Sequence, residues 1–339
     1  MPKRGAAKVS DKVNDFFVVG SSVVDVICRT SDAERVDIGG RHVEHLVCIS
    51  FASKSELSGI DFKPGGSASN SAVALKGMGS SVCLLSVVGK DRFGEFILDC
   101  LKKAGIDASH VKVLRSAQTG VSIVLLLASG EKSILAFRGA NNELGPSDVN
   151  EEAMRNSKRV FITSLVSDAN YLLFEKILKL SKNHSKHVIF APSITMLHSW
   201  MPRIRKLRPY FDMVIVNYEE GCYYTGKTDI KDILGALPGK VAVVMKDVDG
   251  AFAAEKGKDV FHVKAVPVKI KDTTGAGDAF SGAFTHSYYA KKSIPESLKV
   301  AAAAAALKLS HEGAQFRLGK LALNAFMKKH LSSLVVRRF

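Results

Sequence analysis

Lys271-Asp272-Thr273-Thr274-Gly275-Ala276-Gly277-Asp278-Ala279-Phe280 follows an apolar run, residues 265–270, that reads as a strand. It opens a segment in which Ala279, Phe280, Ala283 and Phe284 recur at helical spacing. Two glycines one residue apart let the backbone turn sharply and leave several N–H groups with no side chain in front of them. Those donors stand at a helix N-terminus, where unpaired amides and the helix dipole favour an anion. Asp278 sits directly against that anion hole. A carboxylate there repels a phosphate unless it has work to do, and taking the proton from an attacking hydroxyl is such work. The competing reading is an ordinary helix start with a glycine turn.

The surrounding chain alternates strands and helices. Residues 16–19 and 23–27 are apolar strands, the second with Asp25 embedded in it. Residues 36–49 alternate apolar and polar around Gly39-Gly40, a hairpin with one wet face. A helix is expected over 69–77 after Pro64-Gly65-Gly66, a buried strand over 82–88, and an amphipathic helix over 93–104 ended by Gly105. Residues 121–128 and 133–137 form a second hairpin. Short apolar strands at 160–163, 187–191, 213–216 and 241–245 then alternate with helices such as 171–182 and 218–224. Helices at 280–290, 295–309 and 318–330 close the chain. Continuous apolar strands between helices indicate an α/β fold with a mostly parallel sheet covered on both faces. The two hairpins are out of place in such a sheet and fit a projecting lid.

A chain of 339 residues with 46% hydrophobic content can bury a large core. No apolar run approaches the roughly 20 residues of a membrane span, and the polar, basic first 13 residues read as a disordered tail. Five cysteines scattered singly argue against zinc and for a reducing, cytoplasmic location. The net charge of +15 raises nucleic-acid binding, but the basic residues are dispersed and no RNA-binding aromatic motif interleaves them. A basic surface that attracts phosphorylated ligands accounts for the charge better.

Three further stretches carry chemistry. Gly221-Cys222-Tyr223-Tyr224-Thr225-Gly226-Lys227-Thr228 matches the phosphate-binding P-loop pattern letter for letter. A P-loop wraps phosphate with successive amides and wants small residues, whereas this one offers Cys-Tyr-Tyr-Thr preceded by Glu219 and Glu220. A short helix capped by Gly226 is the better reading. Gly65-Gly66 followed by Asn70 offers close backbone approach plus an amide suited to a polyol. Asn217 and Glu220, at the carboxyl end of a buried strand, stand where α/β sheets bind ligands and could hold a hydrated Mg2+; an Asx cap is the alternative.

In this order the stretches resemble the ribokinase-like (PfkB) family of carbohydrate kinases over about residues 16–330. The match is carried by the segment Asp272 to Gly282, by Gly65-Gly66 with Asn70, by Asn217 with Glu220, and by the turn Gly89-Lys90-Asp91-Arg92-Phe93-Gly94. The resemblance implies a three-layer α/β sandwich, a single domain over 14–330, with a small β lid at 36–49 and 121–137. It implies ATP-dependent phosphorylation of a small sugar (ribose-, fructose- or keto-deoxy-sugar-acid-like), with a nucleoside as the alternative acceptor. Asp278 would be the base and the amides of Gly275, Ala276 and Gly277 the anion hole. Asp25, Gly65, Gly66, Asn70 and Asn142 would bind substrate; Asn217, Lys246, Gly250, Gly275 and Gly277 the nucleotide. Asn217 and Glu220 would position Mg2+, and Asp272, Thr274 and Gly313 a monovalent cation such as K+. Lids of this kind sometimes pair, which leaves a homodimer open. The turn 245–250 departs from the family pattern except at Gly250. A non-catalytic sugar or nucleotide sensor on the same fold is the reading of another class, and the intact Asp278 argues against it.

Overall fold

A computed structural model describes residues 13–39, 44–52, 54–127 and 132–339. In chain order the elements are β1 (Asn14–Val19), β2 (Val23–Thr30), β3 (Ala33–Ile38), β4 (Glu44–Ile49), β5 (Gly59–Gly65), α1 (Ser67–Gly77), β6 (Val82–Gly89), α2 (Arg92–Lys103), β7 (Val111–Leu114), β8 (Gly120–Leu127) and β9 (Lys132–Phe137). There follow α3 (Glu151–Arg155), β10 (Ser157–Ile162), α4 (Asp168–Asn183), β11 (His187–Phe190), α5 (Ile194–Lys206), β12 (Met213–Asn217), α6 (Tyr218–Thr225), α7 (Ile230–Ala236) and β13 (Val241–Lys246). The last are β14 (Gly250–Glu255), β15 (Val260–Val263), α8 (Ala276–Tyr289), α9 (Ile294–Leu309), α10 (Lys320–Lys329) and β16 (Val336–Arg338).

The central sheet runs β16-β15-β14-β13-β12-β11-β10-β1-β6-β7. From β7 to β13 every pairing is parallel, and the last three strands are antiparallel. Strand β1 shows why both faces must be covered. Phe16 and Val18 pack into a cluster with α1, α8 and α9, whereas Phe17 and Val19 pack with α4, α5 and α7. Residues one apart on a strand point to opposite faces, so one strand feeds two cores and the protein has three layers. β6, Val-Cys-Leu-Leu-Ser-Val-Val-Gly, is buried at all eight positions. β1 lies between β10 and β6 and chain connections leave it in both directions; at such a switch point α/β sheets open a crevice beyond the strand carboxyl ends.

A second sheet, β5-β2-β8-β9, stands off the first, and β3 with β4 makes a separate two-stranded hairpin. The lid expected from 36–49 and 121–137 therefore divides: β8 and β9 join β2 and β5, while β3 and β4 pair with each other. The tail at 1–12, Gly40 of the first turn and Ala128 lie outside the described residues. Parity gives the four-stranded sheet two unlike faces. Asp25 is level with Lys63 and Ser122 on one face. Val26, level with Phe62 and Ile123, lies on the other, where Ile60, Phe62, Ile123, Leu135 and Phe137 are all exposed.

The strand expected at 265–270 does not form. Residues 264–270 join no ladder among the described residues, because β15 has already taken β14 and β16 as partners and Pro267 has no N–H to donate. Helix α8 also begins earlier than 280, at Ala276, which brings Asp278 inside its first turn. Helix α5 went unread because Pro202 interrupts its pattern; there the ring is accommodated on the exposed side.

Candidate active site

Helix α8 starts on Gly275, whose φ of 78° is left-handed, and a Cβ there would clash with the carbonyl of Ala314. Glycine is required on both counts. Among the described residues the amides of Gly275 and Gly277 have no acceptor, while that of Ala276 donates weakly to the Thr273 carbonyl at 3.3 Å. Two of the three expected amides are thus unpaired at the helix start, and the third is partly engaged. A Cβ built on Gly277 would meet only Met245 Cε at 3.6 Å, an ordinary contact, so glycine is not sterically required at this position.

Asp278 Oδ2 accepts a hydrogen bond from Asn70 Nδ2 at 2.8 Å. Burial of the carboxyl pushes its pKa up to about 6; the Asn70 bond opposes the rise and the charge of Asp25 adds to it. The Ser71 hydroxyl pulls slightly the other way but makes no hydrogen bond of good geometry. Asn70 is buried in the first turn of α1, and its Oδ1 has no donor. An orphaned buried acceptor is costly, so this atom marks where a ligand donor belongs. Gly66, the residue before α1, has a φ of 95° and a Cβ on it would run into the Ser21 carbonyl.

Asp25 is 5% exposed on β2, and burial raises it to about 6, with Ser122 lowering and Asp272 raising. A Cβ on Gly65 would strike the Asp25 carboxylate, so Gly65 makes room for that side chain. The sequence brought Asp25, Gly65, Gly66, Asn70 and Asp278 forward separately; the fold assembles them around the start of α8 and the polar face of the second sheet.

Asp272, Thr274 and Gly313 also meet. Asp272 Oδ1 accepts from Thr274 N at 2.8 Å and Oδ2 from Gly313 N at 3.0 Å. Two lysines the sequence reading missed close on the same loop. Lys308, fully buried on α9, donates to the Asp272 carbonyl at 2.8 Å, with 3.9 Å to Oδ2. Burial lowers it to about 8, against the upward pull of Asp272, Asp25 and Asp278. Lys132, at the start of β9, reaches Thr274 Oγ1 at 3.0 Å. A signal for Lys308 existed: Ala301, Ala304 and Lys308 recur at helical spacing on one buried face. Lys132 had none, since its partner is 142 residues away.

Asn217 and Glu220 form a reciprocal cap on α6. Asn217 Oδ1 accepts from Glu220 N at 2.8 Å, and Glu220 Oε2 from Asn217 N at 2.9 Å. Burial raises Glu220 to about 7, and both Glu219 and Asp278 add to the rise. The cap is real and the carboxyl is still within electrostatic reach of Asp278. α6 ends on left-handed Gly226, so residues 221–228 are helix and cap and wrap no phosphate. Lys246 pairs with Asp249 at 2.9 Å and lies over the Tyr218 ring. Gly250 has a φ of 89°, and a Cβ would clash with the Val263 carbonyl, so the hairpin accounts for both residues. Asn142 is exposed and its carbonyl accepts from Ser167 Oγ at 2.6 Å; no described contact joins its side chain to Asp25, Asn70 or Asp278. Its neighbour Asn141 is the one locked in place, bonding the amide and carbonyl of Ser22 at 3.0 and 2.9 Å.

A half-buried carboxylate beside unpaired amides, at the carboxyl edge of a parallel sheet, is the arrangement of a small-molecule phosphotransferase. The chain belongs to the pfkB family of carbohydrate kinases, whose model matches residues 15–320. It is 26% identical over 294 residues to a ribokinase of Haemophilus influenzae, covering 82% of this chain and 92% of that one. To a 5-dehydro-2-deoxygluconokinase of Clostridium perfringens it is 28% identical over 288 residues, covering 78% and 84%. The fold is shared with a putative ribokinase II from E. coli solved with ATP and Mg2+, at a TM-score of 0.77 and 22% identity, covering 94% of this chain and all of that one. An adenosine kinase from Sinorhizobium meliloti superposes with the same TM-score and identity, covering 92% and 99%. The protein is a sugar kinase.

Proposed function

We propose that the chain transfers the γ-phosphoryl group of ATP to a hydroxyl of a small sugar, with Asp278 as the base that accepts the hydroxyl proton. The observation that carries this is the placement of Asp278 in the first turn of α8, held by Asn70 and beside the unpaired amides of Gly275 and Gly277. A carboxyl at about 6 is ionised at neutral pH yet basic enough to take a proton as the attacking oxygen develops charge. The Gly275 and Gly277 amides face the charge that builds on the transferring group. Asp25 and the free Oδ1 of Asn70 hold sugar hydroxyls in register with Asp278.

Mg2+ suits the donor set. Glu220 is buried, burial pushes it up to about 7 with Glu219 and Asp278 adding to the rise, and Asn217 ends the adjoining strand. Because their side chains already cap α6, these two would hold the ion through water. Bound there, the ion supplies neutralising charge for the phosphates. Lys246 and Gly250 border the nucleotide side on resemblance alone. The lid excludes water that would otherwise accept the phosphoryl group. Its apolar outer face seats a second copy of the chain, and the free cysteines fit a cytoplasmic location. The +15 charge attracts anionic nucleotide and needs no nucleic acid.

The deciding experiment is ADP release across a panel of pentoses, hexoses, keto-deoxy sugar acids and nucleosides with ATP and Mg2+. Turnover with a sugar above all nucleosides is expected. Preference for a nucleoside would favour the alternative acceptor, and binding of sugars with no turnover would favour a sensor.

A further inference from the structure

The cation expected at Asp272, Thr274 and Gly313 meets an obstacle in the fold. Lys308 is fully buried, a rare state for an ammonium, and its Nζ sits 2.8 Å from the Asp272 carbonyl and 3.9 Å from Oδ2. Each carboxylate oxygen of Asp272 already accepts one amide hydrogen bond, from Thr274 and Gly313, so part of its acceptor capacity is spent. These three residues therefore do not present a free oxygen cage to a dissolved ion. They enclose a positive charge the chain carries itself. A second monovalent cation there would stand against Lys308 with Lys132 close by on the lid.

We propose that the ammonium of Lys308 is a tethered substitute for a monovalent cation beneath the anion-hole loop, and that this kinase needs no K+. Helix α9 makes the placement possible. Its alanines at 301 and 304 leave the buried face flat, so the long Lys308 stem can run under the loop and deliver its head to Asp272. The ammonium ties the last turn of α9 to the residue four before the Ala276 start of α8, and Asp25 and Asp278 see the same charge. Lys308 is a positioning residue: it touches the loop that carries Gly275 and Gly277. A tethered cation cannot dissociate, so the loop is set whatever the salt.

The test compares chloride salts of K+, Na+ and choline at equal ionic strength. For the wild-type protein, kcat/KM is expected to agree within about twofold across the three, and the unliganded Tm to agree within about 1 °C. Lys308→Met is expected to lose about 10–100-fold in choline, as when an outer-shell support is removed, and to recover activity with K+ or ammonium. Its Tm should rise with K+ where the wild type's does not. Several-fold activation of the wild type by K+ over Na+, a K+-specific rise in its Tm, or full activity of Lys308→Met in choline would each overturn the proposal. The activity arm rests on the sugar-kinase reading, whereas the melting arm needs no substrate and no variant. A missed substrate and a misread lysine are therefore told apart.

Discussion

At the scale of single residues, the site is a set of buried and half-buried carboxyls under like charge. Asp25 and Asp278 are each pushed to about 6, Asp272 adding to the rise of Asp25 and Asp25 to that of Asp278, while Glu220 is pushed to about 7. Burial is the largest cause in all three, and hydrogen bonds from Ser122, Asn70 and the Asn217 amide hold the rises in check. The direction fixes a pH dependence. A base must be ionised, so kcat/KM should fall about tenfold per unit as pH drops below about 6 and level off above it. Asp25 and Asp278 are coupled, so the limb belongs to the pair. Asp25→Asn removes one repelling charge and should move the limb to lower pH in whatever activity remains. A pH profile of that variant on an unmoved limb would detach Asp25 from the base.

At the scale of elements, two structures meet at the candidate site: the start of α8 and the four-stranded sheet β5-β2-β8-β9, the proposed lid. α8 is prepared before any ligand arrives, because Gly275 is left-handed and pressed against Ala314 while Asp272 is clamped by Thr274 and Gly313. The lid reaches that loop through Lys132 and Thr274. Its outer face carries Ile60, Phe62, Ile123, Leu135 and Phe137 in the open, more apolar area than single surface residues account for. Leu135→Glu together with Phe137→Glu should convert a dimer to a monomer in sedimentation velocity, with little effect on folding, because both side chains are exposed. A wild-type protein that sediments as a monomer at micromolar concentration would refute the pairing.

At the scale of the molecule, much of the architecture was legible because it is written in local patterns. Continuous apolar strands between helices gave the parallel sheet, and Gly275-Ala276-Gly277-Asp278 announced a helix start with an acid inside it. What failed was nonlocal. The apolar run at 265–270 looked like a strand, but strandedness requires a partner, and β15 had none to offer. The antiparallel edge β14 to β16 is assembled partly from the last residues of the chain. Helical spacing sets Lys308 on the buried face of α9, but its partner Asp272 lies 36 residues earlier, so no local pattern names the contact. Asn217 and Glu220 read as holders of a hydrated ion with an Asx cap as the alternative, and the fold forms the cap, each side chain accepting the other's amide.

The account turns on Asp278, and Asp278→Asn tests it most directly, since it keeps the shape and a partner for Asn70 while removing the base. With the best sugar from the panel, kcat should fall by about 10²–10⁴-fold, while ATP affinity and Tm stay near the wild-type values. A variant with folded structure and kcat within a few-fold of wild type would contradict it.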